Sequence, residues 1–331
     1  MNKDSQLTLP PAPNLIGAIR SGFDAITRHI ILILFPIILD LVLWAGPRLK
    51  LTSLIQSTAD RFFTLYSLQD PGMAEFIQPL QAVWSEFAEQ FNMLALLRTY
   101  PVGITSLLVA QLPINSPVGV LTSWEINTLG SAFLAFILVG LIGICLGTLY
   151  FQVVAQAAII GDISWREAVN QWPWASLQMF FLTALWIVFL LLITIPGSFL
   201  VSLVLLSGFS YAQCALIIFA AVIFWMILPF VFSPHGILIN RQNFLSSVKI
   251  SANLIRRTLP TTILFIIAVF LISKGLDILW RAPLETSWLL LIGILGHAFI
   301  TTALLASSFV YYQDALRWMR EIMRARQLKM I

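Results

Sequence analysis

The sequence predicts an all-α, polytopic membrane protein with six transmembrane helices, three interfacial-helix-plus-hairpin repeats and a helical extracytoplasmic insert. Three observations predict it. Of 331 residues, 59% are apolar and 10% are charged, whereas about a quarter of residues are charged in soluble domains. The mean hydropathy is +0.90. The charges also leave three long gaps: 36 uncharged residues between Glu125 and Asp162, 73 between Glu167 and Arg241, and 28 between Glu285 and Asp314. A charge at mid-bilayer costs a few kcal/mol and is avoided, so such gaps locate spans.

The elements follow in order. A polar N-terminus with Pro10, Pro11 and Pro13 leads into Leu15 to His29, too charged to cross a bilayer and too apolar for a free loop. Ile30 to Trp44 is the first span, expected to be retained because no small-residue cleavage pattern follows it. The 36-residue gap holds the second span. A span needs about 20 residues, so the 73-residue gap holds two, Leu177 to Leu206 and Phe209 to Phe232, turning at Ser207-Gly208. Pro196-Gly197 is expected to kink or end the first of these early. Pro260 to Trp280 and the 28-residue gap supply the fifth and sixth spans. The chain thus divides into 1–46 (tail, interfacial helix and first span), 47–128 (cap), 129–313 (remaining spans) and 314–331 (basic C-terminal helix).

Segments of one type precede the odd-numbered spans: Leu15 to His29, Trp165 to Ser176, and Phe244 to Thr258. The second and third superpose at an offset of 79, Trp165 on Phe244 and Val169 on Val248; the first fits the second at 150, Ala18-Ile19 on Ala168-Val169. Repeats of this kind are common in transporters and also arise by simple duplication. With both termini cytoplasmic, 13 of the 19 Lys and Arg residues lie inside, which satisfies the positive-inside rule for an inner (plasma) membrane protein.

In the insert, Phe76, Leu80, Val83, Trp84, Phe87, Phe91 and Leu94 form a heptad-like stripe, and Leu51, Leu54, Ile55, Phe62 and Leu65 a weaker one ended by Gln69-Asp70-Pro71-Gly72. Two amphipathic helices are expected. Val102 to Leu112 is apolar but too short to span. It reads as a lid packed on the bundle, or as a re-entrant or surface-lying segment that admits a lipid or another apolar ligand.

No nucleotide-binding, zinc-protease or serine-hydrolase motif is present, and the two cysteines and three dispersed histidines build no metal site. No cofactor and no nucleic-acid partner is expected. Ionisable groups inside apolar segments are the functional candidates by default: Asp40 near the outer end of the first span, Lys274 near that of the fifth, and His297 deeper in the sixth. Lys274 can pair with Asp277 three residues on, or with Asp40. A relay through His297 and Asp40 is the functional reading and a hydrogen-bonded packing histidine the structural one. Gly143 and Gly147 form a G-x-x-x-G pair that permits close approach. Lys249, Arg256, Arg257, Arg317, Arg320 and Arg324 lie on amphipathic segments suited to lipid headgroups or a cytosolic partner.

Val248, Lys249, Ser251, Leu254 and Arg257, before a span, and Tyr312, Asp314 and Leu316, after the last, resemble motifs of bacterial multi-span proteins that include the membrane domain of some glycerophosphodiester phosphodiesterases. The resemblance covers about the last third of the chain and the repeated units. These 331 residues hold no expected counterpart of the phosphodiesterase domain, and the insert departs from the pattern, so no activity is expected to carry over. The expectation is a non-enzymatic component that handles lipid or another apolar molecule or serves as accessory subunit of a membrane or cytosolic complex. A secondary, proton-coupled transporter is the alternative, and an intramembrane enzyme the third.

Overall fold

The computed structural model describes residues 12–69, 74–111, 113–119, 121–207 and 213–329. It is an all-helical polytopic membrane protein. Among the described residues five stretches are long and apolar enough to cross a membrane: α5 (Leu129–Ile159), α6 (Trp165–Leu206), α7 with α8 (Gln213–Ile227 and Ser233–Asn240), α9 (Phe244–Trp280) and α10 (Leu290–Lys329). α1 (Leu15–Arg28) and α2 (Leu34–Ala45) meet at 94° across a 3-10 turn, Ile30–Ile33, and make a sixth only when the bent pair is counted as one span, because the stretch expected to cross, Ile30 to Trp44, is too short by itself.

The central helix is α10. In its most apolar window 67% of residues are buried, against 0% for α6, so α10 is the axis of the bundle and α6 faces lipid. Against α10 lies α1, with Ala18, Gly22, Ala25 and Ile26 buried. A Cβ on Gly22 would stand 2.4 Å from the backbone N of Ser307, so only glycine lets the two backbones approach this closely. Ser307 Oγ donates to Ile19 O across the contact (3.2 Å).

Of the three pre-span segments, only the first is a separate helix. Its end is set by His29, whose φ of −124° and ψ of 53° leave the helical region. Trp165 to Ser176 instead forms the first turns of the 42-residue α6, and Phe244 to Thr258 runs into α9 through a kink at Thr258 (φ −112°, ψ 21°), just before Pro260. Nor does Pro196 end its helix, because α6 continues to Leu206. In hydrocarbon an unpaired backbone group costs several kcal/mol, so helices persist through prolines that would end them in water. The span expected over Phe209 to Phe232 is broken: α7 stops at Ile227, a 3-10 turn (Leu228–Phe230) carries Pro229, and α8 restarts at Ser233-Pro234. Ser207 caps α6, while Gly208 of the expected turn lies outside the described residues.

The insert contains α3 (Thr52–Gln69) and α4 (Ala74–Gln90), bracketed by two short parallel strands, β1 (Arg48–Lys50) and β2 (Ser123–Glu125), that tie its start to its end. The expected break at Asp70-Pro71-Gly72 lies outside the described residues. Phe63, Ile77 and Ala88 are buried between the helices, but Phe62, Leu65, Leu80, Val83, Trp84 and Phe87 are exposed. An apolar cavity of about 450 Å³ opens between α3, Trp84 and the start of α5.

The Gly143/Gly147 pair serves close approach, but its neighbour is irregular backbone of the insert. Cβ atoms there would stand 2.8 Å from Leu97 O and 2.9 Å from Val102 O, whereas Gly140, one turn earlier, has nothing within 4 Å. Gly143→Ala should therefore destabilise the protein by about 1–3 kcal/mol, as overpacking does. Gly140→Ala should change stability by no more than about 0.5 kcal/mol. Unfolding in mixed micelles measures both, and equal effects would contradict this packing.

Candidate functional site

After Arg98 the chain enters the bundle. Val102, Ile104, Ser106, Leu107 and Leu108 are buried, and Thr105 Oγ1 reaches Thr301 Oγ1 at 2.9 Å. Thr301 lies eleven residues into α10, roughly 16 Å along it at 1.5 Å per residue. This segment is thus a re-entrant plug, where the sequence left a lid as one of two readings. Irregular backbone is tolerated at such depth only when protein satisfies its polar groups.

Asp40 satisfies them. Its side chain is fully buried, and its carboxylate accepts from Ser106 Oγ, Leu107 N (3.1 Å) and Leu108 N (3.2 Å). Ser106 Oγ in turn accepts from Val109 N (3.1 Å), so α2 supplies from outside the cap that the 3-10 turn Leu108–Ala110 requires at its start. The carbonyls of the same loop face cations: Arg98 Nη1 donates to Ser106 O and Arg281 Nη2 to Leu107 O, each at 3.5 Å.

A second acid organises the remainder. Asp277, 4% exposed near the end of α9, accepts from Lys274 Nζ (3.0 Å) and His297 Nδ1 (2.8 Å), and Arg281 Nη2 lies 3.7 Å away. Of the expected alternatives, Lys274 therefore pairs with Asp277 rather than Asp40, and His297 is joined to Asp277, so the His297–Asp40 relay is not formed. Asp40 is engaged instead by the plug, through the Ser106 hydroxyl and the Leu107 and Leu108 N–H groups. Since the carboxylate only accepts, His297 Nδ1 is the donor and Nε2 is a bare acceptor; Nε2 is buried with no partner among the described residues.

His297 lines a cavity of about 260 Å³ between α9, α10 and the plug with Arg98, Thr105, Ser106, Thr301 and Ser308, Ser273 and Lys274 on the α9 side, and Val269, Leu304 and Leu305 as apolar wall. Arg98 also lines a second space, an apolar groove of about 430 Å³ between α5 and α6, with Tyr100, Phe136, Ile144, Phe180 and Trp186. Burial lowers the pKa of Arg98, and the negative charges of Asp277 and Asp40 oppose that shift. Burial pushes the Tyr100 hydroxyl up to about 12, and the Tyr100 and Trp186 rings stand 4.3 Å apart. Arg98 was missed in the sequence. Its signal was a cation immediately preceding an apolar run too short to span.

At the opposite end of the bundle Lys249, Arg256, Arg257, Arg317, Arg320 and Arg324 are all exposed. Folding brings two of the groups together: Arg256 and Arg257 share a cavity of about 500 Å³ with Trp318 and Met319 of α10. Among the described residues no three His, Cys, Asp or Glu side chains are grouped to hold a metal ion.

Removing the Asp40 carboxylate strands two buried backbone donors, each worth about 1–3 kcal/mol. Asp40→Ala should therefore destabilise the protein by about 3 kcal/mol or more, whereas Lys274→Met, at a side chain 50% exposed, should cost less than about 1 kcal/mol. Unfolding in mixed micelles tests the pair, and a mild Asp40→Ala effect would show that the plug is held otherwise. Comparison with protein-family models, curated proteins and solved structures returns no match, so the resemblance of the last third of the chain rests on its motif residues alone.

Proposed function

We propose that this is a non-enzymatic integral membrane protein that handles an anionic lipid, with both termini cytoplasmic in a bacterial inner (plasma) membrane and the plug end towards the outer leaflet. The observation that carries the reading is the position of Arg98, which lines both the apolar groove of α5 and α6 and the cavity of α9 and α10 that carries Lys274, His297 and several hydroxyl side chains. An amphiphile needs such a junction: hydrocarbon wall on one side, cationic and hydrogen-bonding groups on the other. Arg98, Lys274 and Arg281 outnumber Asp40 and Asp277 around the cavity, so the local balance favours a negative headgroup.

The cap supports the same reading. Its exposed Phe62 and Trp84 line an apolar cavity that reaches the first residues of α5, and Leu65 and Val83 are exposed on the same two helices, the arrangement of helices that lie on a membrane or receive acyl chains. The exposed basic groups at the other end suit anionic headgroups of the inner leaflet.

The test is lipid retention. Protein stripped of lipid in detergent is offered equal amounts of dioleoyl phosphatidylglycerol and dioleoyl phosphatidylcholine, and bound lipid is read by native mass spectrometry. The wild type should prefer the anionic lipid, and Arg98→Gln should reduce that preference about tenfold, the effect of losing one charge-assisted hydrogen bond. Equal retention of the two lipids by the wild type, or an unchanged preference in Arg98→Gln, would refute the assignment.

A further inference from the structure

The cap cavity and the Arg98 groove share a helix. Leu129 and Ala132 of α5 line the first, and Phe136, Gly140 and Ile144 of the same helix line the second. Successive members of this set stand three or four residues apart, the spacing at which side chains on a helix surface are neighbours. They form one apolar row that leaves the cap and enters the groove. Phe133 and Leu134, beside it, are exposed, so the row is continuous with the lipid-facing surface of α5.

The two ends of the row have different walls. In the cap, Leu54, Ile55 and Phe62 of α3 and Trp84 of α4 face Leu129 and Ala132, and the lining is apolar apart from Thr58. In the groove, the facing wall is Phe180 and Ile187 of α6 with Tyr100 and Trp186. At Gly140 the groove has room to spare. Gly143 and Gly147 admit the backbone of the insert, whereas a Cβ on Gly140 would meet nothing within 4 Å. A glycine inside a helix costs about 0.5–1 kcal/mol relative to alanine, and no close approach of protein accounts for this one.

The length of the row fits one lipid chain. From Gly140 to Leu129 is roughly 16 Å of helix at 1.5 Å per residue, and the hydrocarbon of one leaflet is about 15 Å deep, half of the core. A chain that starts beside Gly140 therefore ends in the cap cavity. Arg98 lines the groove together with Gly140, which puts a cation at the headgroup end of such a chain and hydrocarbon walls along the rest.

We infer that this row of α5 is an acyl-chain track, along which the chain of a phospholipid held at Arg98 runs out of the groove and into the cap. The inference rests on the lipid-handling reading above and adds to it the path and direction of the chain. In the topology proposed there the chain points outwards, as the chains of inner-leaflet lipids do, so the track takes a lipid in the inner-leaflet orientation. It also gives the exposed Phe62 and Trp84 of the cap their occupant, the terminal carbons of that chain.

The experiment uses the full chain in nanodiscs of phosphatidylcholine containing phosphatidylglycerol with a photoreactive diazirine, placed either at the end of one acyl chain or next to its ester. After irradiation, labelled residues are located by mass spectrometry. The terminal probe should label the cap, around Phe62 and Trp84, and the ester-side probe the groove, around Tyr100 and Phe136. Gly140→Phe, which fills the open turn of the groove, and Ala59→Phe, which fills the cap cavity, should each lose most of the cap label. Either variant carries the test if the other does not elute as a monodisperse particle. A cap left unlabelled in the wild type, or labelled as strongly as wild type in a folded Gly140→Phe or Ala59→Phe, would overturn the track. A wild type that prefers phosphatidylglycerol over phosphatidylcholine but leaves the cap unlabelled loses the track and keeps the headgroup assignment; a wild type without that preference loses both.

Discussion

Asp40 holds irregular backbone at membrane depth, and the architecture of the plug end depends on that one carboxylate. Hydrocarbon offers no hydrogen bonds, so a segment that is neither helix nor strand enters a bundle only when side chains pair its N–H and C=O groups. Asp40 takes two backbone N–H groups and a hydroxyl, while Arg98 and Arg281 face the carbonyls of the same turn. The charges pair with the plug backbone, and the plug in turn gives buried charges a place in the bundle. Gly143 and Gly147 make the insertion sterically possible by letting Leu97 and Val102 carbonyls lie against α5.

The two acids divide the work. Asp40, bonded to the plug backbone and the Ser106 hydroxyl, is structural; Asp277, surrounded by Lys274, Arg281 and His297, fixes the ring of His297 so that Nε2 is its free acceptor. Such an orienting acid sets which histidine nitrogen remains available. The polar face of α10 continues from there, so the same helix that forms the apolar axis of the bundle also carries its line of hydroxyls, bears His297 and contacts His235. A helix buried over most of its circumference can combine these roles because its faces point to different neighbours.

Much of the fold was legible in the residues. Gaps between charges located the spans because burying a charge in lipid is costly, and heptad-like stripes located α3 and α4. Helix ends were less legible. Pro196 and the junctions after Ser176 and Thr258 read as breaks by rules that hold in water, whereas in a membrane the backbone keeps its helix wherever it is able to. Conversely, Pro229 and Pro234, closely spaced, did interrupt their span. Of the candidate site, the three polar residues Asp40, Lys274 and His297 were identifiable as ionisable groups in apolar surroundings, and their partners were not. Arg98 and Asp40 lie 58 positions apart and Asp277 and His297 twenty, and no local pattern encodes such meetings.

The sequence by itself determined an all-helical membrane protein, the placement of its spans and the identity of the groups that lipid would not tolerate unpaired, because burial costs are properties of single residues and short windows. Only the tertiary structure decided that Val102 to Ala110 enters the bundle, that Asp277 rather than Asp40 receives His297, and that His235 meets Ser308 of α10. These are choices among partners. A buried polar group must find one, and which one is available depends on how distant helices pack.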